Sequence, residues 1–337
     1  MRLIYIGNKL AGKGFNPTTI DTLGEILAKM HPTVFASEKK NTLLRFIDMG
    51  STIIKYRKGN PLVLIDTYST SAFNFVVLSA VICRIYKIRY IPYLHGGSLK
   101  DRLESSPLLS KFVFDKAYRI ISPSGFLREV FREKGFKGVS IFPNFINIEK
   151  YPFKRRDRLR PKILWVRSFH EIYNPQRALL VLLRVLKFYP EAELCMVGPD
   201  KDGSLEKVKA EASTLGIADQ VKFTGGLSKE EWIMLSENYD IFLNTTDYDN
   251  TPVSVMEAMA LGMCVISTKV GGIPYLFEDG VEGFMVDLEI DERFSDYVLK
   301  LLASPELSKS ISINARMKSE SWDWEIVKKL WIELLGK

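Results

Sequence analysis

Between Asp249 and Lys269 the chain carries a single charged side chain, Glu257. It stands in a stretch that reads as a helix whose other faces are Val253, Val255, Met256, Met259 and Leu261. Burying an unpaired carboxylate there is costly, so a hydrogen-bond donor should meet it. A ribose diol is one such donor. The alternative is a core helix whose Glu257 is met by a backbone amide or an arginine, and spacing alone leaves both open. Thr251 reads as the N-cap, Pro252 suits the first turn and Gly262 the stop. Free amides over Thr251, Pro252, Val253 and Ser254 suit a phosphate. At 1.5 Å per residue Glu257 lies about 9 Å along the axis from that start. The spacing would seat a diphosphate at the amides, a ribose at Glu257 and the far group near Asp249.

Three other places could carry chemistry. Arg167 follows a predicted strand, Lys162 to Val166, and from that edge a guanidinium can fork onto a diphosphate. A surface ion pair is its plainer reading. His95 ends a predicted strand, Ile88 to Leu94, and precedes two glycines, at the edge where open α/β sheets hold ligands; a structural turn is the alternative. The glycine-rich loop from Gly7 to Gly14 nearly completes a P-loop, with Leu62 to Asp66 as a Walker B strand. Against that, Gly14 offers no hydroxyl for magnesium, and Pro17 disturbs the helix that should begin at once.

Asp249-x7-Glu257, followed by EAMALGMCVIST and VGGIP, resembles the donor-site motif of the retaining glycosyltransferases of family four. These are two-domain GT-B enzymes. The resemblance implies a metal-free transfer in which Arg167 and the helix amides hold the diphosphate. It also implies a front-face displacement in which the leaving phosphate helps deprotonate the acceptor. His95-Gly96 matches the pair that faces the transferred sugar, so the implied catalytic set is His95, Arg167 and Asp249. The implied donor-binding set is Gly12 and Gly14 of the first loop, Gly226 and Leu227 of a base-contacting turn, and Thr251, Pro252, Val253, Ser254 and Glu257. An ordinary strand-to-helix turn is the alternative for Gly226-Leu227. Two positions depart from the pattern. Asp249 stands where glutamate is usual, and Tyr173-Asn174 stands where the family carries a second cation.

Strand and helix alternate along both halves, which predicts α/β domains with parallel sheets. The expected division is an acceptor-side Rossmann-like domain over 1–153, joined by a crossing helix at about 322–337, and a donor-binding domain over 154–321. Lys154 to Lys162, basic and bounded by prolines, reads as the linker. The 337 residues suffice for two cores, and the 46% hydrophobic content with mean hydropathy −0.01 is that of an ordinary globular protein. A net charge of +7 points to anionic partners. Cys83, Cys195 and Cys264 lie far apart in apolar runs and read as buried free thiols of a reducing compartment. The N-terminus reads as a first strand rather than a signal peptide, and Ala72 to Cys83 is too short to span a bilayer.

Phe126 to Lys137 reads as an amphipathic helix with a solvated charged face, or as a peripheral contact with anionic lipid. No cofactor is expected; the implied donor is a nucleotide-sugar, UDP ahead of GDP, and the acceptor a glycan or lipid-linked hydroxyl in surface polysaccharide synthesis. The expected location is the cytoplasm or the inner face of the plasma membrane. Rival readings are a sugar-nucleotide epimerase or phosphorylase on the same fold, and a catalytically weakened nucleotide-sugar-binding subunit. Nucleic acid is least favoured, since the basic residues are dispersed without interleaved aromatics.

Overall fold

The structure, a computed structural model, describes residues 1–11, 13, 17–96 and 98–336. Two compact units divide it: residues 1–143 with 329–337, and residues 144–328. The division falls between Pro143 and Asn144, ahead of the position expected from the basic segment.

The first unit holds strands β1 (Leu3–Ile6), β2 (Thr33–Ala36), β3 (Leu62–Thr67), β4 (Arg89–Leu94), β5 (Ile120–Ser122) and β6 (Val139–Ile141). All pair in parallel, in the order β2-β1-β3-β4-β5-β6. Helices cover the sheet, so β1 and β3 are buried at every position and, apart from Asp66 and Thr67 at the end of β3, their sequences are continuous apolar runs rather than alternating ones. The strand order reverses between β1 and β3. In such sheets the crevice beyond the carboxyl ends of the two strands at the reversal is where ligands are held. The chain's last segment belongs to this unit: Trp331 is buried, its ring 5.8 Å from Tyr93 and 4.9 Å from Phe142.

The second unit holds β7 (Lys162–Val166), β8 (Glu193–Val197), β9 (Val221–Gly225), β10 (Ile241–Asn244), β11 (Cys264–Thr268) and β12 (Phe284–Val286). Its order is β12-β11-β10-β7-β8-β9, again all parallel. The reversal here lies between β7 and β10, which pair Ile163 with Ile241 and Leu164 with Phe242. The segment Lys154 to Lys162 is not a free tether. Arg156 is buried, gives hydrogen bonds of 2.6 Å to Leu261 O and 3.0 Å to Tyr239 O, and meets Asp240 at 3.3 Å. Arg160 forks onto the same carboxylate, at 2.9 Å and 3.1 Å. Arg160 and Arg156 together hold the Asp240 carboxyl below its usual range against the opposing pull of burial.

Two helices that the apolar pattern did not disclose, Glu292–Ala303 and Pro305–Glu320, close this unit. The second packs through Ser308, Ile311, Ser312, Ala315 and Ser319. All three cysteines are buried and free, and burial pushes the Cys83 and Cys264 thiols up to about 12. No helix among the described residues is long and apolar enough to cross a membrane.

Candidate functional site

Arg167 leaves the carboxyl end of β7, and Asp249 lies in the loop after β10, so the two residues stand on either side of the second unit's strand reversal. They form an ion pair through Arg167 Nη2 and Asp249 Oδ2. Their backbones are fixed independently. Arg167 N donates to Val197 O at 3.0 Å, and Gly272 N donates to Asp249 O at 3.1 Å. A Cβ on Gly271 would meet Asp249 O at 1.9 Å, and one on Gly272 would meet Asn250 O at 1.6 Å. The glycine pair is therefore what lets this loop close against β11's exit.

The Arg167 guanidinium lies over the ring of Tyr173, 4.5 Å from its centroid. Tyr173 is held by its own backbone: its carbonyl accepts from Thr245 Oγ1 at 2.9 Å and its amide donates to His170 O at 2.9 Å. The position where a second cation was expected thus supports the first cation from below. Burial pulls the Arg167 pKa down, and Tyr173 opposes that pull. Asn174 does a different job. In the left-handed conformation (φ 43°) it caps the helix Pro175–Val185 by accepting from Arg177 N at 3.3 Å.

The helix Val253–Ala260 starts later than expected. Pro252 occupies the N-cap and, having no N–H, contributes no amide; the first amides bonded within the helix are Val255 and Met256, both to Pro252 O. Val253 and Ser254 therefore present the helix's leading N–H groups, and Thr251 is not the cap. The hydroxyls of Thr251 and Ser254 are buried with no hydrogen-bond partner among the described residues, as is Arg167 Nε. Native structures rarely leave buried polar atoms unpaired, so this group has the character of a site awaiting an oxygen-rich ligand.

Glu257 sits about 6 Å along the axis from Val253, with its side chain 4% exposed. Among the described residues neither a backbone amide nor an arginine meets it. Tyr151 donates to Oε1 at 2.8 Å, and Lys229 Nζ pairs with the same oxygen. Burial, with the Glu257 carboxylate next, pushes the Tyr151 hydroxyl well above its ordinary range. Lys229 begins the helix Lys229–Ser236, capped by Ser228 and Glu231, directly after Gly226-Leu227. The turn and the glutamate are thus brought together through a lysine that the sequence reading passed over. Leu227 packs on the core cluster that holds Val255 and Met259.

Arg177 is committed elsewhere, to Asp291 at 2.6 Å and Asp247 at 2.9 Å.

In the first unit His95 follows β4 and is 7% exposed. Its Nε2 meets Asp66 Oδ1 at 2.8 Å, and Tyr5 donates to the same oxygen at 2.9 Å. A carboxylate only accepts, so Nε2 carries the proton and a neutral ring keeps Nδ1 as an acceptor. Tyr68 stacks on the imidazole at 5.0 Å and Tyr93 lies at 4.3 Å. Burial and then Asp66 push the Tyr5, Tyr68 and Tyr93 hydroxyls well above their ordinary range. Asp66 Oδ2 is buried without a partner among the described residues, facing Gly7, where a Cβ would come within 2.5 Å of it.

Gly12, Gly14 and Gly97 lie outside the described residues. The P-loop reading finds no support around them. Lys13 Nζ donates to Glu38 O at 2.7 Å, the next helix starts only at Thr19, and Asp66 is taken by His95 and Tyr5.

Comparison with known proteins agrees with this geometry. The family described as glycosyl transferases group 1 matches residues 147–318, just over half of the chain. An N-acetyl-alpha-D-glucosaminyl L-malate synthase of Bacillus anthracis is 25% identical over 247 residues, 68% of this chain and 62% of the relative. A GDP-mannose-dependent alpha-(1-6)-phosphatidylinositol monomannoside mannosyltransferase of Mycolicibacterium smegmatis is 28% identical over 174 residues, 48% of this chain and 45% of that one. The match thus spans less than two thirds of these relatives' own lengths. Among solved structures, Anabaena HepE in complex with UDP and glucose superposes with a TM-score of 0.78 at 16% identity, covering 100% of this chain and 99% of the other. The sucrose-phosphate synthase of Thermosynechococcus elongatus gives a TM-score of 0.79 at 16% identity, covering 99% of each chain. At such identities the likeness is one of fold, and it is the GT-B fold. With two parallel α/β sheets and a family match over residues 147–318, the chain belongs to the glycosyl transferases of group 1.

Proposed function

We propose that the protein transfers a sugar from a nucleoside-diphosphate donor, UDP ahead of GDP, to a hydroxyl of a glycan or lipid-linked acceptor, with retention, in surface polysaccharide synthesis. One observation carries the reading: Arg167, the leading amides of Val253 and Ser254, and the unpartnered hydroxyls of Thr251 and Ser254 gather at the strand reversal of the second unit. A diphosphate there would take Arg167 as a forked donor and the helix start as a dipole, and would satisfy the buried hydroxyls. The bond from the anomeric carbon to the diphosphate oxygen breaks while the acceptor oxygen bonds to that carbon on the same face. The acceptor's proton passes to the leaving phosphate. Charge growing on that phosphate is met by groups already in place, which is where such donors lower a barrier most.

Asp249 holds Arg167 by an ion pair, so the arriving phosphate exchanges one anion for another and Tyr173 keeps the guanidinium in its plane. Glu257 accepts from the ribose in this reading, sharing its carboxylate with Lys229 and Tyr151. His95 offers Nδ1 to a sugar hydroxyl.

A second reading has one observation in its favour: both site carboxylates already have internal partners, Asp249 with Arg167 and Glu257 with Lys229. That suits a subunit that binds a nucleotide-sugar without turning it over. A thermal-shift panel of UDP, GDP, ADP, CMP and dTDP identifies the base, because a ligand that binds only the folded state stabilises it by mass action. Turnover with the matching nucleotide-sugar, and the anomeric configuration of the product by NMR, separate the readings. Inversion would sink the retaining mechanism, and stabilisation by no nucleotide would sink both readings.

A further inference from the structure

From Met49 to Lys100 the only acidic residue is Asp66, and it is buried. The same stretch holds seven lysines and arginines. The fold brings several of them out together. The helix Thr42–Lys55 ends in exposed Lys55, Arg57 and Lys58, and the helix Phe73–Ile85, packed beside it, ends in exposed Arg84 and Lys87. Arg57 lies over the ring of Tyr86 at 5.2 Å, joining the two ends into one surface.

That surface is also apolar. Leu43, Leu44 and Ile47 are 68%, 53% and 59% exposed on the first helix, and Ile85 is 67% exposed on the second. At 100° per residue, Leu43, Ile47 and Ile54 fall within about 40° of one another, so they form one outward stripe. The other side of the same helix is already satisfied by Met49 and Ile53. The nearby acids are engaged: Asp48 accepts from Ser37 at 2.6 Å, and Glu38 pairs with Lys9 and Lys13.

The helix that sequence alone marked for lipid, Gly125–Glu133, is of the other kind. Its apolar residues Leu127, Val130 and Phe131 are buried, and its cations are paired: Arg128 with Glu129 at 3.4 Å, Arg132 with Glu129, and Lys134 with Glu104 at 2.9 Å.

We propose that the Thr42–Lys55 helix, with the adjoining end of Phe73–Ile85, docks this protein on an anionic lipid surface. An exposed leucine–isoleucine stripe bordered by cations that form no ion pair among the described residues matches an acyl-chain boundary beneath anionic headgroups. A neutral apolar partner would leave the cations unanswered, and a second copy of this surface would set cation against cation. This inference is independent of the transfer reaction proposed above.

The test is co-sedimentation of the full chain with phosphatidylcholine vesicles, with and without phosphatidylglycerol. Binding is expected only with the anionic lipid, weakening as salt is raised. Leu43→Asp with Ile47→Asp, and separately Lys55→Glu with Lys58→Glu, should each lower the partition coefficient about tenfold or more. Arg128→Glu with Arg132→Glu should leave it unchanged. Thermal unfolding of each variant confirms that the fold is kept, and the solvent-exposed Lys55/Lys58 pair tests the idea even if the leucine pair fails to fold. Absent sedimentation, equal binding to neutral vesicles, or loss in the Arg128/Arg132 pair instead would overturn the assignment. So would a dimer in light scattering that Leu43→Asp dissolves, since a second copy would then cover this face.

Discussion

The two units share one architecture and place polar groups at the same topological point, yet they equip that point differently. In the second unit the strand reversal carries opposite formal charges with side chains 20% and 13% exposed, Arg167 and Asp249, together with polar atoms that have no partner among the described residues. In the first unit Asp66 is bound by His95 and Tyr5 and walled by the rings of Tyr68 and Tyr93. The first unit's arrangement orients a single histidine and leaves one buried oxygen, Asp66 Oδ2, without a partner among the described residues; the second unit's leaves three such atoms, Arg167 Nε and the hydroxyls of Thr251 and Ser254. Fold topology thus selects where chemistry can sit, and the local charge and its degree of satisfaction select which chemistry.

That contrast can be attacked first through stability. Asp240→Asn removes the carboxylate that compensates buried Arg156, and breaking a buried pair typically costs about 3–5 kcal/mol. Chemical denaturation should show the loss. If the two units unfold in separate steps, the second unit's transition should shift while the first unit's stays. The same pair sets an acid limit. The folded Asp240 carboxyl titrates below its unfolded counterpart, so the unfolded chain takes up the proton first. Its stabilisation is complete above the unfolded value, about 4, and is lost as the pH falls through the lower folded value. In Asp240→Asn that part of the acid dependence should be absent.

Arg167→Ala should lower kcat/KM by about 10² to 10³, since it removes a charged donor from the leaving group. His95→Ala, in the first unit, should cost less. Steady-state kinetics on both variants would reverse the comparison if His95→Ala proved the more damaging. Arg167→Lys should recover only part of the loss, because an ammonium cannot fork onto two phosphate oxygens.

Glu257→Gln should weaken nucleotide binding by about tenfold, the worth of a charge-assisted hydrogen bond of roughly 1.5 kcal/mol. Calorimetric titration with the nucleotide that stabilises best is the measurement. Normal affinity in a folded variant would mean that Lys229 and Tyr151 are the whole role of Glu257.

The smallest expected effect is at Tyr173. Tyr173→Ala should cost about 0.5–2 kcal/mol in kcat/KM, the range of a cation–π contact, while Tyr173→Phe keeps the ring face and most of the activity. Equal losses in the two variants would show that the hydroxyl matters rather than the face beneath Arg167.

Much of this was legible in the sequence because local signals are strong there. Strands β4 and β7 fall where the sequence places them, and Gly262 ends the helix Val253–Ala260 in the left-handed conformation its type allows. Continuous apolar runs with intervening helices imply parallel sheets, since both faces must be covered. The stretch from Asp249 to Gly272 carried the resemblance to the family. Pairings across sequence distance were not readable. Nothing near Glu257 marks Lys229, 28 residues away, or Tyr151, 106 away, as its partners. Nothing beside His95 marks Asp66, and the pinning of the basic segment by Asp240 spans some 80 residues. The helix Pro305–Glu320 escaped the pattern because its buried face is largely serine and alanine, small enough for close approach but weak in hydropathy. An amphipathic stripe likewise looks the same in sequence whether its apolar side faces the core or the solvent. Burial decided that Gly125–Glu133 faces in and that Leu43 and Ile47 face out, because which side of a helix meets the sheet depends on the whole packed unit.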